Sequence, residues 1–127
     1  MRIILATVTL LVCFQIPLHA QFTVKDYKEM TKDENGKLLM KTYLMGVGEG
    51  IMIANIQVGN IQVGSEKKVK LYCPLDRLAI NADNYVNILE AEIKLNSITQ
   101  PAIVDTAPLS ALLMAGLQRT FPCPVAK

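Results

Sequence analysis

The sequence predicts an all-α fold, a small compact bundle of about four helices with one disulfide. Three observations predict it. Apolar residues recur at helical spacing in several segments after residue 20. Helix start and stop signals, among them Asn81, Pro108 and Pro122, fall between those segments. An even pair of cysteines, Cys73 and Cys123, remains in what reads as an exported chain.

Residues 1–20 read as a cleavable signal peptide. Arg2 gives a short positive start, Ile3 to Phe14 is an uncharged apolar run, and Leu18-His19-Ala20 ends in the small residue that a signal peptidase requires. The run is short for a membrane span. Val12 before Cys13 speaks against a lipoprotein site, so the expected cut lies between Ala20 and Gln21. The expected domain plan is therefore 1–20 signal peptide and 21–127 one helical domain. Cleavage removes Arg2 and takes the net charge from +2 to +1, with 12 basic residues against 11 acidic. No basic field remains to attract nucleic acid, and no membrane association is expected once the signal has gone.

The elements follow in order. Thr23 to Thr31 has Val24, Tyr27 and Met30 at helical spacing, and Asp33-Glu34-Asn35-Gly36 reads as a turn. Lys37 to about Gln57 is the longest periodic segment and is apolar nearly all round, the pattern of a helix buried at the centre of a fold. Lys41 and Glu49 speak against a membrane span. Gly46, Gly50 and Ala54 form a small-residue stripe on it. Packing within the chain is the plainer account of that stripe, and a dimer interface the sharper one. Asn55-Ile-Gln-Val-Gly59 is repeated at once as Asn60-Ile-Gln-Val-Gly64. A slipped duplication in a tolerant loop and a tight hairpin are both open readings. Asn81 is placed to cap a helix running to about Leu95, with Tyr85, Ile88, Leu89 and Ile93 inward and Glu90–Lys94 as an i,i+4 pair. Asn96 to Thr106 reads as a connection. Asp105 or Thr106 then caps a last helix with Pro108 in its first turn, Leu109, Leu112, Leu113 and Leu117 as its buried stripe, and Pro122 as its stop. A Cys73–Cys123 bridge would close a loop of roughly 50 residues, worth about 4 kcal/mol by loop-closure entropy.

The expected mature chain has no histidine and no tryptophan, since His19 leaves with the signal. The commonest general base and metal ligand is thus missing. With both cysteines bridged, no thiol nucleophile or zinc cluster remains, so no metal, cofactor or catalytic residue is assigned. Serines occur only at 65, 97 and 110, none in a nucleophile-elbow setting, and an enzyme would need a carboxylate-only mechanism. A protein-binding role is the expectation.

Four stretches, Tyr43-Leu-Met-Gly-Val-Gly-Glu-Gly50, Leu71-Tyr-Cys-Pro74, Tyr85-Val-Asn-Ile-Leu89 and Leu117-Gln-Arg-Thr-Phe-Pro-Cys123, resemble in order and spacing the Rap/Tai family of bacterial immunity proteins. The resemblance covers most of the chain after residue 20. It implies a small periplasmic helical protein that binds and blocks a peptidoglycan amidase delivered by type VI secretion, and that forms homodimers. It also implies a second cysteine pair, at positions that here hold Met30 and Met40. Methionine can fill such a contact without a bond.

Loops on a rigid scaffold are the usual contact surface of an exported binder. The expected partner-binding residues are Asn96, Ser97, Ile98, Thr99 and Gln100, with Lys67 and Lys68 as a second candidate suited to steering an acidic partner. The competing expectation is a periplasmic stress chaperone or accessory subunit of similar small helical fold.

Overall fold

The computed structural model describes residues 21–60, 70–74 and 80–124. The expected signal peptide, Lys67 and Lys68, and residues 61–64 of the second repeat copy lie outside them. Within them the chain is all-α: α1 (Val24–Met30), α2 (Glu34–Asn60), α3 (Ala82–Thr99) and α4 (Leu109–Thr120), with a 3-10 turn at Val104–Thr106. Among the described residues there is no strand, and an isolated β-bridge joins Thr23 to Pro108.

Helix α1 is short and held by its cap. The Thr23 hydroxyl accepts from the Asp26 backbone N–H at 3.3 Å, and the Asp26 carboxylate accepts from the Thr23 N–H at 2.8 Å and hydroxyl at 2.7 Å. This reciprocal box satisfies donors that a helix start leaves free. Val24 and Tyr27 are buried. Backbone bonds then sew this segment to the start of α4, from Val24 N–H to Ala107 O at 3.0 Å and from Leu109 N–H to Phe22 O at 2.9 Å. The expected cap of α4 at Asp105 or Thr106 is thereby corrected. The helix begins at Leu109, Pro108 at the cap position has no side chain to offer, and a carbonyl from the other end of the chain takes the first N–H.

The turn before α2 is tighter than expected. Asp33 Oδ1 accepts from the Gly36 N–H at 2.9 Å, so Glu34, Asn35 and Gly36 already belong to the helix. Gly36 passes so close to α1 that a Cβ there would lie 1.8 Å from the Met30 carbonyl oxygen. At its other end α2 runs on through Asn60, taking in the whole first copy of the repeat. The loop and hairpin readings of Asn55–Gly59 are therefore corrected: this copy is helical, and Asn55 and Gly59 are buried. Asn55 Oδ1 accepts from Leu71 N–H at 2.7 Å and Tyr72 N–H at 3.2 Å, and its Nδ2 donates to Tyr72 O at 3.0 Å. One buried amide thus clamps the 70–74 segment to α2.

The core gathers Val24 and Tyr27 of α1, Met40 and Leu44 of α2, Tyr72 of the 70–74 segment, Tyr85, Leu89 and Ile93 of α3, Val104 of the 3-10 turn, and Leu109, Leu112, Leu113 and Leu117 of α4. Met30 packs against its edge. The inner side of α3 and the leucine stripe of α4 match the periodicity. Two glycines admit close contacts. A Cβ on Gly48 would fall 2.3 Å from Tyr85 Cζ, and one on Gly116 2.7 Å from Ile88 Cγ2. Cys73 and Cys123 are bridged with their Cα atoms 4.9 Å apart, beside a 2.8 Å bond from Cys73 N–H to Phe121 O. The staple ties the clamped 70–74 segment to the end of α4.

Two charged residues behave differently from the pattern. Glu90 is not paired with Lys94; it accepts from the Tyr27 hydroxyl at 2.8 Å. Glu92 is 4% exposed and receives Arg119 Nε at 3.1 Å, Arg119 Nη2 at 3.2 Å and Asn96 Nδ2 at 3.1 Å. That fork locks α3 to α4, and it holds the guanidinium above its ordinary pKa through the Glu92 hydrogen bond and charge.

Candidate partner-binding surface

The expected 96–106 connection is a helix end followed by a closed turn. Residues Asn96 to Thr99 are the last turn of α3, not loop. Their polar groups are turned back onto the helix. Asn96 Nδ2 donates to Glu92 O at 2.9 Å, Ser97 Oγ to Ile93 O at 2.8 Å, and Thr99 Oγ1 to Leu95 O at 3.1 Å. Short polar side chains near a helix end satisfy carbonyls in this way. Asn96, Ser97 and Thr99 thus bond carbonyls of their own helix, while Ser97 and Thr99 remain exposed.

Gln100 caps α3 through its own N–H to Asn96 O at 2.7 Å, and its carbonyl accepts from Ile103 and Val104, both at 3.2 Å. Thr106 donates twice to Ile103 O, from N–H at 3.1 Å and from Oγ1 at 2.9 Å. Val104 is buried, and Asp105 pairs with Lys28 of α1 at 2.7 Å. The 100–103 turn is thus tied at both ends, with Pro101 within it. What it presents outward is apolar: Ile98 is 75% exposed and Ile103 57%. Ile98 is among the residues expected on the partner-binding surface. Ile103 was not singled out, although its place two residues beyond Pro101 was the available signal.

Gly46, Gly50 and Ala54 are all exposed, and nothing lies within 4 Å of a Cβ built on Gly46 or Gly50. The plainer expectation, that this stripe packs within the chain, is therefore overturned for these glycines. The glycine of α2 that a neighbour requires is Gly48.

A cavity of about 260 Å³ opens between α1, α2 and α3, walled by Tyr27, Met40 and Val86 with Lys41 and Glu90 at its polar side. Lys41 is paired with Asp83 at 2.5 Å, and Glu90 accepts from Tyr27. Burial first, then the Glu90 hydrogen bond and charge, hold the Tyr27 phenol well above its ordinary pKa, so it remains a donor at neutral pH. Among the described residues no cluster of three His, Cys, Asp or Glu side chains could hold a metal ion, and no helix is long and apolar enough to cross a membrane. Comparison with known protein families, curated proteins and solved structures finds no match to this chain.

Proposed function

We propose that the protein is a periplasmic immunity protein that binds and inhibits a peptidoglycan-cleaving amidase toxin delivered by type VI secretion. The observation that supports the reading on the structural side is the 98–103 tip, with two exposed isoleucines on a turn tied by backbone hydrogen bonds and by the Lys28–Asp105 pair. The sequence resemblance to Rap/Tai proteins supplies the partner class. A rigid apolar projection is suited to filling a cleft, because little conformational freedom is lost on binding. Inhibition would then be steric, by covering the amidase cleft, with no chemistry required of the inhibitor.

The exposed apolar side chains of α2, Leu38, Leu39, Met52, Ile53 and Ile56, favour a second reading, a periplasmic chaperone or accessory subunit. One experiment separates the two. The mature chain is titrated into a peptidoglycan digestion by the amidase encoded nearest its gene, and into digestions by type VI amidase effectors. Stoichiometric loss of cleavage supports the immunity reading. Unchanged cleavage together with protection of unrelated proteins from aggregation at low pH supports the chaperone.

A further inference from the structure

We infer that the cavity between α1, α2 and α3 is a binding site for a primary ammonium group on a short aliphatic stem, with Glu90 receiving the charge. The walls suit the stem. Met40 is 1% and Tyr27 7% exposed, and Val86 adds to the apolar lining. At about 260 Å³ the space falls just under the roughly 300–1,000 Å³ of pockets that take drug-sized molecules. Its size suits one short chain.

The sign of the charge follows from the ion pairs. Lys37, Lys41 and Glu90 all line the cavity. Lys37 is paired with Glu34 and Lys41 with Asp83, each at 2.5 Å, and neither acid is part of the lining. Two cations against three carboxylates leave one negative charge, and it belongs to Glu90. Among the described residues no cation pairs with Glu90; the ion pairs there are those of Asp105, Glu29, Glu34, Asp83 and Glu92. A carboxylate beside apolar walls attracts a cation more strongly than one in open water, because the local dielectric is lower.

Glu90 is also held in place. Its Oε1 accepts from the Tyr27 hydroxyl at 2.8 Å. Burial, then the Glu90 hydrogen bond and charge, keep that phenol protonated well beyond neutral pH, so the donor is permanent. Among the described residues nothing donates to Oε2, which is left to a ligand. That selects between cations. A guanidinium binds a carboxylate best through two parallel N–H bonds, one to each oxygen, whereas an ammonium is a point charge that a single oxygen can receive. The stem of such a group lies on apolar surface while its head stays at the polar edge. Buried Met40 and exposed Glu90 offer those two environments in one cavity. The ammonium can belong to a lysine side chain of another protein or to a free amine, and the site recognises what the two share. This inference does not rest on the inhibitor reading.

The test follows backbone amide NMR shifts of residues 21–127 during titration with butylamine, which reproduces the lysine side chain, at neutral pH. The expected result is a saturable shift centred on Tyr27, Met40, Val86 and Glu90. Butanoate and butanol, of similar shape, give no saturable shift there. Glu90→Gln keeps the Tyr27 bond through its carbonyl oxygen, and so keeps the fold, yet weakens butylamine binding by about fivefold or more. Val86→Phe, which fills the space from a partly exposed position, weakens it as well. Nα-acetyl-lysine methylamide distinguishes the sources: tighter binding than butylamine assigns the site to a protein lysine, weaker binding to a free amine. No saturable shift with butylamine overturns the inference. So does equal binding of butanol, which would mean an apolar cavity only, or preferred binding of butanoate, which would mean that the lysines set the sign. Butylamine binding indifferent to Glu90→Gln overturns it too.

Discussion

At the residue scale, the most consequential side chain is one that periodicity hid. Asn55 sits in a duplicated five-residue unit that reads as loop, yet its buried amide satisfies two backbone N–H groups and one carbonyl of the 70–72 segment. Truncating it strands those groups away from water, and an unmade buried bond costs more than a made one gains. Asn55→Ala should therefore lower unfolding free energy by about 3 kcal/mol in a urea titration. A loss below about 1 kcal/mol would mean that the segment finds other partners. The sequence carries no sign of this role, because the identical unit begins again at Asn60 and nothing local distinguishes the two asparagines. Glu92 escaped notice for a related reason. Its partner Arg119 lies 27 residues away, and only the packing of α3 on α4 brings them together.

At the scale of elements, local signals did best where they act locally. Asn81 caps its helix as expected, through Asn84 N–H to Asn81 Oδ1 at 2.9 Å, and Thr23, expected as the first residue of the first helical segment, is that helix's cap. The α1 cap carries a pH signature. The Thr23 hydroxyl, then the Thr23 backbone N–H, hold the Asp26 carboxyl below its ordinary 3.8. A carboxyl with a depressed folded-state pKa stabilises above its unfolded value, and that contribution is lost as pH falls through the folded value. Thr23→Ala should cost about 1 kcal/mol at neutral pH, and the difference from wild type should shrink below pH 3.8. Thermal melts of both proteins at neutral and acid pH measure it; a constant difference would remove Asp26 from the cap. The burial of α2 was misread, by contrast. A helix apolar all round predicts burial on all sides, and only half of α2 meets the bundle. Hydrophobicity reports that a face needs cover without reporting that the same chain supplies it.

At the scale of the whole molecule, the all-α class, the four helices and the Cys73–Cys123 bridge were legible. Each follows from spacing, capping residues or cysteine count. What was not legible depends on long-range meeting: the sewing of Phe22 and Val24 to 107–109, the Asn55 clamp, and the conversion of the 96–99 stretch from loop to helix end. Of the candidate surface, the sequence shows the exposed stretch with Ile98 in it, but not that Ser97 and Thr99 also bond carbonyls of their own helix, because that depends on α3 running on to Thr99. The bridge and the clamp hold the 70–74 segment independently. Cys73→Ser should cost about 2–5 kcal/mol in the same urea titration while leaving a folded, cooperative chain, because Asn55 still anchors the segment. A variant that no longer unfolds cooperatively would show the staple to be indispensable.

Under the proposed function, the isoleucine tip is the part of the protein that anchors it in an amidase. An equilibrium titration settles it, taking the amidase encoded nearest the gene, or a type VI amidase effector, against residues 21–127 of the wild type and of Ile98→Ala and Ile103→Ala. Both side chains are largely exposed in the free protein, so their removal leaves its melting temperature unchanged. Anchors at the centre of an interface cost about 2 kcal/mol or more on truncation. Tight one-to-one binding is expected, weakened by roughly thirtyfold or more in at least one of the two variants. Tight binding that is indifferent to both substitutions, or no binding by the wild-type protein, would contradict it.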